Sequence, residues 1–463
     1  MAAPVCPGCH ERDARIAELE ARILALEGQL RDLTDQLKPP PPPRTATAQP
    51  PAPAKKPTGK KPGGQPGHPP YLKIHVPPER VNVVVPFIPD RCRNCRAPLS
   101  RAAGPDDPAP TRHQVAELPA VAAQITEYQG HYRTCPCCGE VTHAPIPAGL
   151  RSHTVGPRLT ATLSYLAGCH GVSKRGVEEI AAAVFDAPVG LGTVANLEQE
   201  VSRALAPAHR EARAAIAAAP VKHVDETGWK QAGKKRWLWA AATVAVVAFV
   251  IHPRRSVAAL KRLVGEAMVG ILCSDRWCAY DEWPVLRRQV CWAHLKRNWE
   301  KQAERGGRAA VVCGACLGVQ RRVFELWHLF RGGGCTRCEM DERMVPLMLE
   351  LLEALRAGRR SRDRKLARFC SRILGVYPAL WTFVCEEGVE PTNNHAERVQ
   401  RRAVLWRRRS FGCHSADGCR FVERILTAVQ TLQLQNRSVL EFLSEAVRAH
   451  RAGLQPPRLV AAG

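Results

Sequence analysis

Acidic residues are in short supply in this chain: 43 Asp and Glu stand against 67 Lys and Arg in 463 residues, a formal charge of +24. That surplus is the electrostatic footprint of a polyanionic partner. A membrane surface is the rival target, but long apolar runs are lacking too. The main one, Trp237 to Ile251, falls short of the roughly 20 residues that cross a bilayer, and it reads as buried strands. The N-terminus shows no charged start leading into an apolar segment, so no secretory peptide is expected and the compartment is expected to be the reducing cytosol. Nineteen cysteines, an odd number with repeated C-x-x-C spacing, exclude a simple disulfide framework and leave free thiols or metal ligands. The length implies two or three domains plus linkers.

The expected organisation is multidomain α/β. Ile16, Leu19, Ile23, Leu26, Leu30, Leu33 and Leu37 alternate steps of three and four, which predicts a coiled-coil dimerisation segment over residues 1–38. In a parallel pair Arg15 faces Glu20 of the partner and Arg22 faces Glu27, both opposite-charge pairs. Residues 39–80 are rich in Pro, Lys and Gly and cannot bury a core, so they read as a charged linker. Its lysines either contact phosphates or stay solvated.

A zinc-binding module is expected over residues 81–150. Cys92 and Cys95, then Cys135 and Cys138, form two C-x-x-C pairs 39 residues apart, the soft ligands of a structural zinc ion. Cys137 competes with Cys138 as a ligand. Val81–Phe87 and Ala122–Tyr132 are the strands expected to bring the pairs together.

Over residues 151–206 three short helices are predicted at Leu159–Ala167, Ser173–Val184 and Thr193–Leu205, with Ser173 and Thr193 as N-caps. They read either as a helix-turn-helix whose last helix enters a DNA groove or as a small bundle.

From residue 207 the pattern turns to strands at Val221–Glu226, Arg236–Ala242 and Val244–Ile251, then a helix at Ser256–Ala267 and a strand at Met268–Ser274. Asp225 is placed at the end of the first strand and Asp275 just after the last, so both meet at one edge of a mixed sheet. Glu397 falls near the start of a helix capped by Asn393 or Asn394. Three converging carboxylates repel one another unless cations neutralise them, and hard oxygen ligands select Mg²⁺ or Mn²⁺. Two such ions suit an in-line phosphoryl displacement on DNA. Glu226, next to Asp225 on a strand, points to the opposite face. Arg398, Arg401, Arg402, Arg407, Arg408 and Arg409, with Trp406 among them, follow Glu397 and suit contact with a DNA backbone and an unpaired base.

Asp225-Glu226-Thr227, Ser274-Asp275-Arg276-Trp277 with Tyr280, and Asn393-Asn394-His395-Ala396-Glu397-Arg398 resemble the three catalytic blocks of insertion-sequence-66 family transposases, DDE enzymes with a ribonuclease-H-like core. Gly63-Gly64-Gln65-Pro66-Gly67-His68, Cys291-Trp292-Ala293-His294 and Ser410-Phe411-Gly412 follow the family's order. The resemblance implies that Asp225, Asp275 and Glu397 bind the metals, and that the protein recognises the terminal repeats of its element, pairs two ends and transfers them to target DNA. It also implies accessory proteins for some relatives. Cys291 and His294, with Asn394, are expected to support the site. The 121 residues between Asp275 and Glu397 exceed a plain core of this kind, so a helical insertion is expected at about 298–383 within a catalytic domain of residues 207–463.

Two further cysteine groups remain. Cys313-x-x-Cys316 and Cys335-x-x-Cys338 match a zinc template, yet Cys316, Val319, Val323, Trp327 and Phe330 are spaced as one amphipathic helix, which would hold the pairs over about 20 Å apart. Cys6 and Cys9 would meet their partner's copies in a parallel dimer, or fray.

Overall fold

A computed structural model of the chain describes residues 75–460. The expected coiled coil, most of the linker and the Cys6/Cys9 pair lie outside the described residues. The chain divides into two compact units, one ending at Ala116 and the other beginning at Glu117.

The first unit holds a 3-10 turn at Pro78–Arg80 and a tight loop from Cys92 to Ala97 closed by a bridge between Arg91 and Pro98. The strand expected at Val81–Phe87 is absent. Val83, Val84, Val85 and Phe87 are exposed, because alternation makes a strand only where a neighbour takes up its backbone hydrogen bonds.

The second unit is mixed α/β, and among the described residues it carries fourteen α-helices and seven strands. The strand expected at Ala122–Tyr132 is replaced by a short hairpin of β1 (Tyr132–Thr134) and β2 (Val141–His143). After the single turn α1 (Ala148–Arg151) come α2 (Pro157–His170), α3 (Lys174–Phe185), α4 (Leu191–Ala204) and α5 (Ala206–Ala218). Gly171, with φ 67°, closes α2 in the left-handed conformation that glycine adopts without strain. Ser173 caps α3 as expected, its hydroxyl accepting from the Gly176 N–H at 3.1 Å. Thr193 does not cap α4: the helix begins two residues earlier, after Gly190. Leu163, Val177, Ala181, Val194 and Leu197 give this region a small core of its own.

The main sheet has the order β5-β4-β3-β6-β7. Its strands are β3 (Val221–Gln231), β4 (Lys234–Ala242), β5 (Val247–His252), β6 (Ile271–Ser274) and β7 (Arg288–Val290). β3, β4 and β5 are antiparallel neighbours, whereas β6 joins β3 in parallel and β7 joins β6 in parallel. The crossover from β5 to β6 is α6 (Val257–Val264). β3 runs five residues past the expected end because Ala232 and Gly233 both have positive φ, 47° and 76°, the geometry of a two-residue hairpin turn. Asp225 is therefore in mid-strand, a correction to the expected strand end.

β7 is followed by α7 (Trp292–Ala303), α8 (Gly307–Arg331), α9 (Arg337–Arg359), α10 (Arg364–Leu374) and α11 (Thr382–Cys385). They enclose a second core with Trp292, Trp299, Val319, Leu351 and Phe383, continuous with Cys273 and Val290 on the sheet edge. Cys313 and Cys316 are buried in it. α8 continues unbroken from Cys316 to Arg331, a rise of about 22 Å at about 1.5 Å per residue that separates them from Cys335 and Cys338.

The chain ends with α12 (Asn394–Ser410), α13 (Ala416–Leu434) and α14 (Val439–Ala452). α13 covers the open edge of β5. Thr431 and Thr427 hydroxyls accept from the Val247 and Phe249 N–H groups, each at 3.0 Å, and the Glu423 carboxylate accepts from the Ile251 N–H at 2.6 Å. Three side chains four residues apart on one helix face thus satisfy alternate donors of a strand. No helix among the described residues is long and apolar enough to cross a membrane.

Candidate active site

The two aspartates lie just beyond a parallel pairing. Val221, Lys222 and His223 pair with Ile271, Leu272 and Cys273; Asp225 and Asp275 each follow two residues after the last pair, and the Asp275 charge acts on Asp225. Adjacent strands lie about 4.8 Å apart. β6 continues the register into β7, where the Cys291 N–H donates to the Ser274 carbonyl at 2.9 Å, so α7 starts next to Asp275. One Asp275 oxygen accepts from the Trp277 N–H at 2.8 Å, which fixes the loop after β6.

Asp225 is pushed up to about 7, first by burial and then by the charges of Glu226, Asp275 and Glu397, against a hydrogen bond from the Glu226 N–H. All three expected acids therefore lie within electrostatic reach of one another. Their side chains are not gathered as ligands: among the described residues no three His, Cys, Asp or Glu groups are placed to hold an ion. Glu397 faces α7 instead, with Arg297 Nη2 at 3.3 Å and His294 Nδ1 at 3.6 Å.

Glu226 belongs to the other face, as alternation along β3 requires. It is buried, accepting from Arg255 Nε at 2.6 Å and from the Tyr280 hydroxyl. Arg255 in turn lies 4.1 Å over Trp277. This network ties the loop carrying Asp275 to β3.

Asn393 does not cap α12 with its side chain. Its Nδ2 donates to the Val224 carbonyl at 2.7 Å, its Oδ1 meets His223 Nδ1 at 3.0 Å, and its N–H donates to Cys291 Sγ at 3.1 Å. The start of α12, and with it Glu397, is thereby locked to β3 one residue from Asp225. Cys291 acts on the site through this contact, whereas Asn394 is exposed. His395 adds a contact to the Thr243 carbonyl at 2.7 Å.

The arginines after Glu397 divide into two groups. Arg407 is committed to β3, donating to Thr227 Oγ1 at 3.0 Å and to the Gly228 carbonyl, and Arg409 reaches the His170 carbonyl at 3.2 Å. Trp406 stacks on Trp229 at 5.4 Å between centroids and donates to the Ala167 carbonyl at 2.8 Å. One face of the ring expected to stack on a base is thus part of the packing. Arg398, Arg401 and Arg402 line a cavity of about 430 Å³ with His170 and Trp406, and the Arg402 Nη1 is buried without a partner. The far end of α12 is fixed at Gly412, with φ 109°, where a Cβ would collide with the Lys230 carbonyl.

The two cysteine turns are built alike, each considered by itself. Cys92 accepts from the Arg96 N–H at 3.0 Å and Cys135 from the Gly139 N–H at 2.9 Å, both through the backbone carbonyl. The Cys92 thiol is lowered by the N–H groups of Cys95 and Asn94 and by the Cys95 thiol, and that of Cys135 by the corresponding groups of Cys138 and Cys137. The thiol approaching Cys135 belongs to Cys138, not to its competitor Cys137. Such turns present soft thiolates, the donor type that selects zinc.

Sequence reasoning gave no role to Arg297, Arg255 or His223, although His223 stands two residues before Asp225 and Arg297 three after His294; Arg255 carries no distinctive spacing. Only the pairing of strands and the docking of α7 bring them to the acids.

Asp225 on the central strand β3, Asp275 just past β6 and Glu397 on α12, with arginines further along that helix, make up an acidic cluster bordered by basic side chains. The model of the Transposase IS66 family matches residues 152–420, more than half of the chain, and the chain belongs to that family. Over 241 residues it is also 26% identical to "Uncharacterized protein y4qI" of Sinorhizobium fredii (strain NBRC 101917 / NGR234), a match covering 46% of this chain and 43% of that protein. Less than half of that relative's length is therefore matched.

Proposed function

We propose that this transposase cleaves DNA at the ends of its element and joins the freed ends to target DNA, with Asp225, Asp275 and Glu397 as the residues that hold two divalent cations. The observation that supports this reading is the effect of the Asp275 and Glu397 charges on Asp225, with both aspartates following the β3/β6 pairing by two residues. The sheet order, with three antiparallel strands followed by two parallel ones, supports a ribonuclease-H-like core. The donor set fits Mg²⁺ or Mn²⁺: hard carboxylate oxygens whose mutual repulsion a cation relieves. When bound, such ions supply Lewis acidity at the attacking and leaving oxygens of a phosphoryl displacement.

The chain's own residues supply positioning. Asn393 and Arg407 hold α12 against β3 at both ends, so Glu397 is set relative to Asp225 by rigid elements. Arg297 orients the Glu397 carboxylate toward α7, and Glu397 would supply hard oxygen donors to a divalent cation. Arg398, Arg401 and Arg402 extend positive charge from the acids along α12, where a DNA strand would lie.

Cleavage and joining of DNA carrying the element's ends should require all three acids. Asp225→Asn, Asp275→Asn and Glu397→Gln are each expected to lose activity by at least about a thousandfold, the scale of removing a central electrostatic element, while binding DNA as the parent does. An inert parent that binds tightly in both metals would instead identify a DNA-binding regulator.

A further inference from the structure

A large cavity is lined by Arg276, the residue that follows Asp275. It is a cleft of about 1040 Å³ between the loop that follows β6 and the helices α7 and α10. Its walls are unusually basic. Lys365, Arg368 and Arg372 project from α10 at spacings of three and four, while Leu366, Cys370 and Ile373 of the same helix are fully buried. Arg276, the residue after Asp275, enters from the opposite wall and lies 5.5 Å over the Phe369 ring.

None of these four cations has a hydrogen-bond or ion-pair partner among the described residues. Of the two acids in the cleft, Asp281 is taken by Arg288, whose Nη1 lies 2.9 Å away, and Glu282 is the remaining one. Arg288 is almost fully buried, and its Nε has no partner. The Asp275 and Asp281 charges act on Arg276, whereas Lys365, Arg368 and Arg372 lack ion-pair partners among the described residues and give the cleft a positive field that suits an anion with several negative groups.

We propose that this cleft is a subsite for a single DNA strand, its phosphates held by Arg276, Lys365, Arg368 and Arg372 and an unpaired base accommodated beside Phe369. The proposal rests on the reading of the chain as a DNA-cutting transposase, and it gives the helical insertion a direct role in holding substrate. Size decides for one strand over a duplex: the volume equals a cube about 10 Å on a side, smaller than the cross-section of a B-DNA duplex. Position decides for a strand over a free nucleotide, because Arg276 is adjacent to Asp275 and a strand bound here continues toward the acids. Guanidinium groups and aromatic rings are the usual partners of unpaired nucleotides.

The test uses the full chain with labelled oligothymidine and a duplex of equal length, by fluorescence anisotropy over a range of salt. Arg368 and Arg372 are exposed and unpartnered, so Arg368→Gln/Arg372→Gln should melt as the parent does. It should lose at least about tenfold in single-strand affinity, with the salt slope reduced by about 1.4, at about 0.7 per phosphate contact. Duplex affinity should change less than about twofold on the same counting. Arg368→Lys/Arg372→Lys should recover most of the loss, and Arg359→Gln/Arg362→Gln, which removes the same charge elsewhere on the insertion, should have no such effect. Equal losses on both probes, no loss on either, an equal loss in the charge control, or displacement of the strand by thymidine monophosphate alone would each overturn the subsite. A parent that binds neither probe would overturn the DNA reading as well, whereas a parent that binds and cuts while the double variant binds like it would remove this inference only.

Discussion

At the scale of single residues, the candidate site is organised by conflict between charges. Asp225 sits in a buried strand near three other carboxylates, and its proton affinity is raised first by burial and then by their charges. Two neighbours avoid the conflict differently: Glu226 through Arg255 and Tyr280, and Glu397 through Arg297. Asp225 has no cation of its own. Replacing it by Asn at pH 8, where it is ionised, should therefore raise the melting temperature of metal-free protein by at least about 2 °C, since roughly 1 kcal/mol corresponds to a few degrees in a domain of this size. Addition of Mn²⁺ should raise the melting temperature of the parent and leave the variant nearly unchanged. A variant that melts lower than the metal-free parent would mean that repulsion is not the dominant force on Asp225.

Elements position these residues more than motifs do. Asn393 falls where a helix cap is expected, and its side chain instead crosses to the Val224 carbonyl, because α12 docks on β3 through that end. β5 shows the same logic on the opposite edge of the sheet, where alternate donors are satisfied by Thr431, Thr427 and Glu423 of α13. Thr427 is fully buried. Thr427→Val keeps the shape and leaves the Phe249 N–H unsatisfied, so urea denaturation should show a loss of about 1–3 kcal/mol, while Thr427→Ser retains the acceptor and most of the stability. A Val variant as stable as the parent would show that the helix covers the edge by packing alone. The sequence carries the helix and the strand as separate patterns, but not their contact.

At the largest scale, the second unit carries a mixed sheet with Asp225 in mid-strand on its central strand β3, in a chain rich in cations. The formal charge of +24 predicts that apparent duplex affinity falls by on the order of a thousandfold between about 50 and 200 mM salt if about six phosphates are contacted. Filter binding across that range would measure it, and a flat response would contradict backbone contact. Two clefts flank the acids, one lined by arginines of α12 and one by α10 and Arg276. The first was legible as a run of arginines after Glu397. The second was not, since its cations come from segments about ninety residues apart in a chain that the helical insertion folds back on itself.

The sequence by itself determined the charge, the main elements of the sheet and the family resemblance, and it nominated three acids as candidates, because these rest on composition, local periodicity and short motifs. Its errors fell where a partner was required: Val81–Phe87 has no neighbouring strand, β3 is lengthened by its hairpin, and α4 starts after Gly190. Tertiary structure alone decided that β6 pairs with β3 in parallel just ahead of Asp225 and Asp275, that Arg297 faces Glu397, and that Arg276 meets α10 across a cleft. These depend on long-range pairing and docking, whose energies come from surfaces that are brought together only when the chain folds.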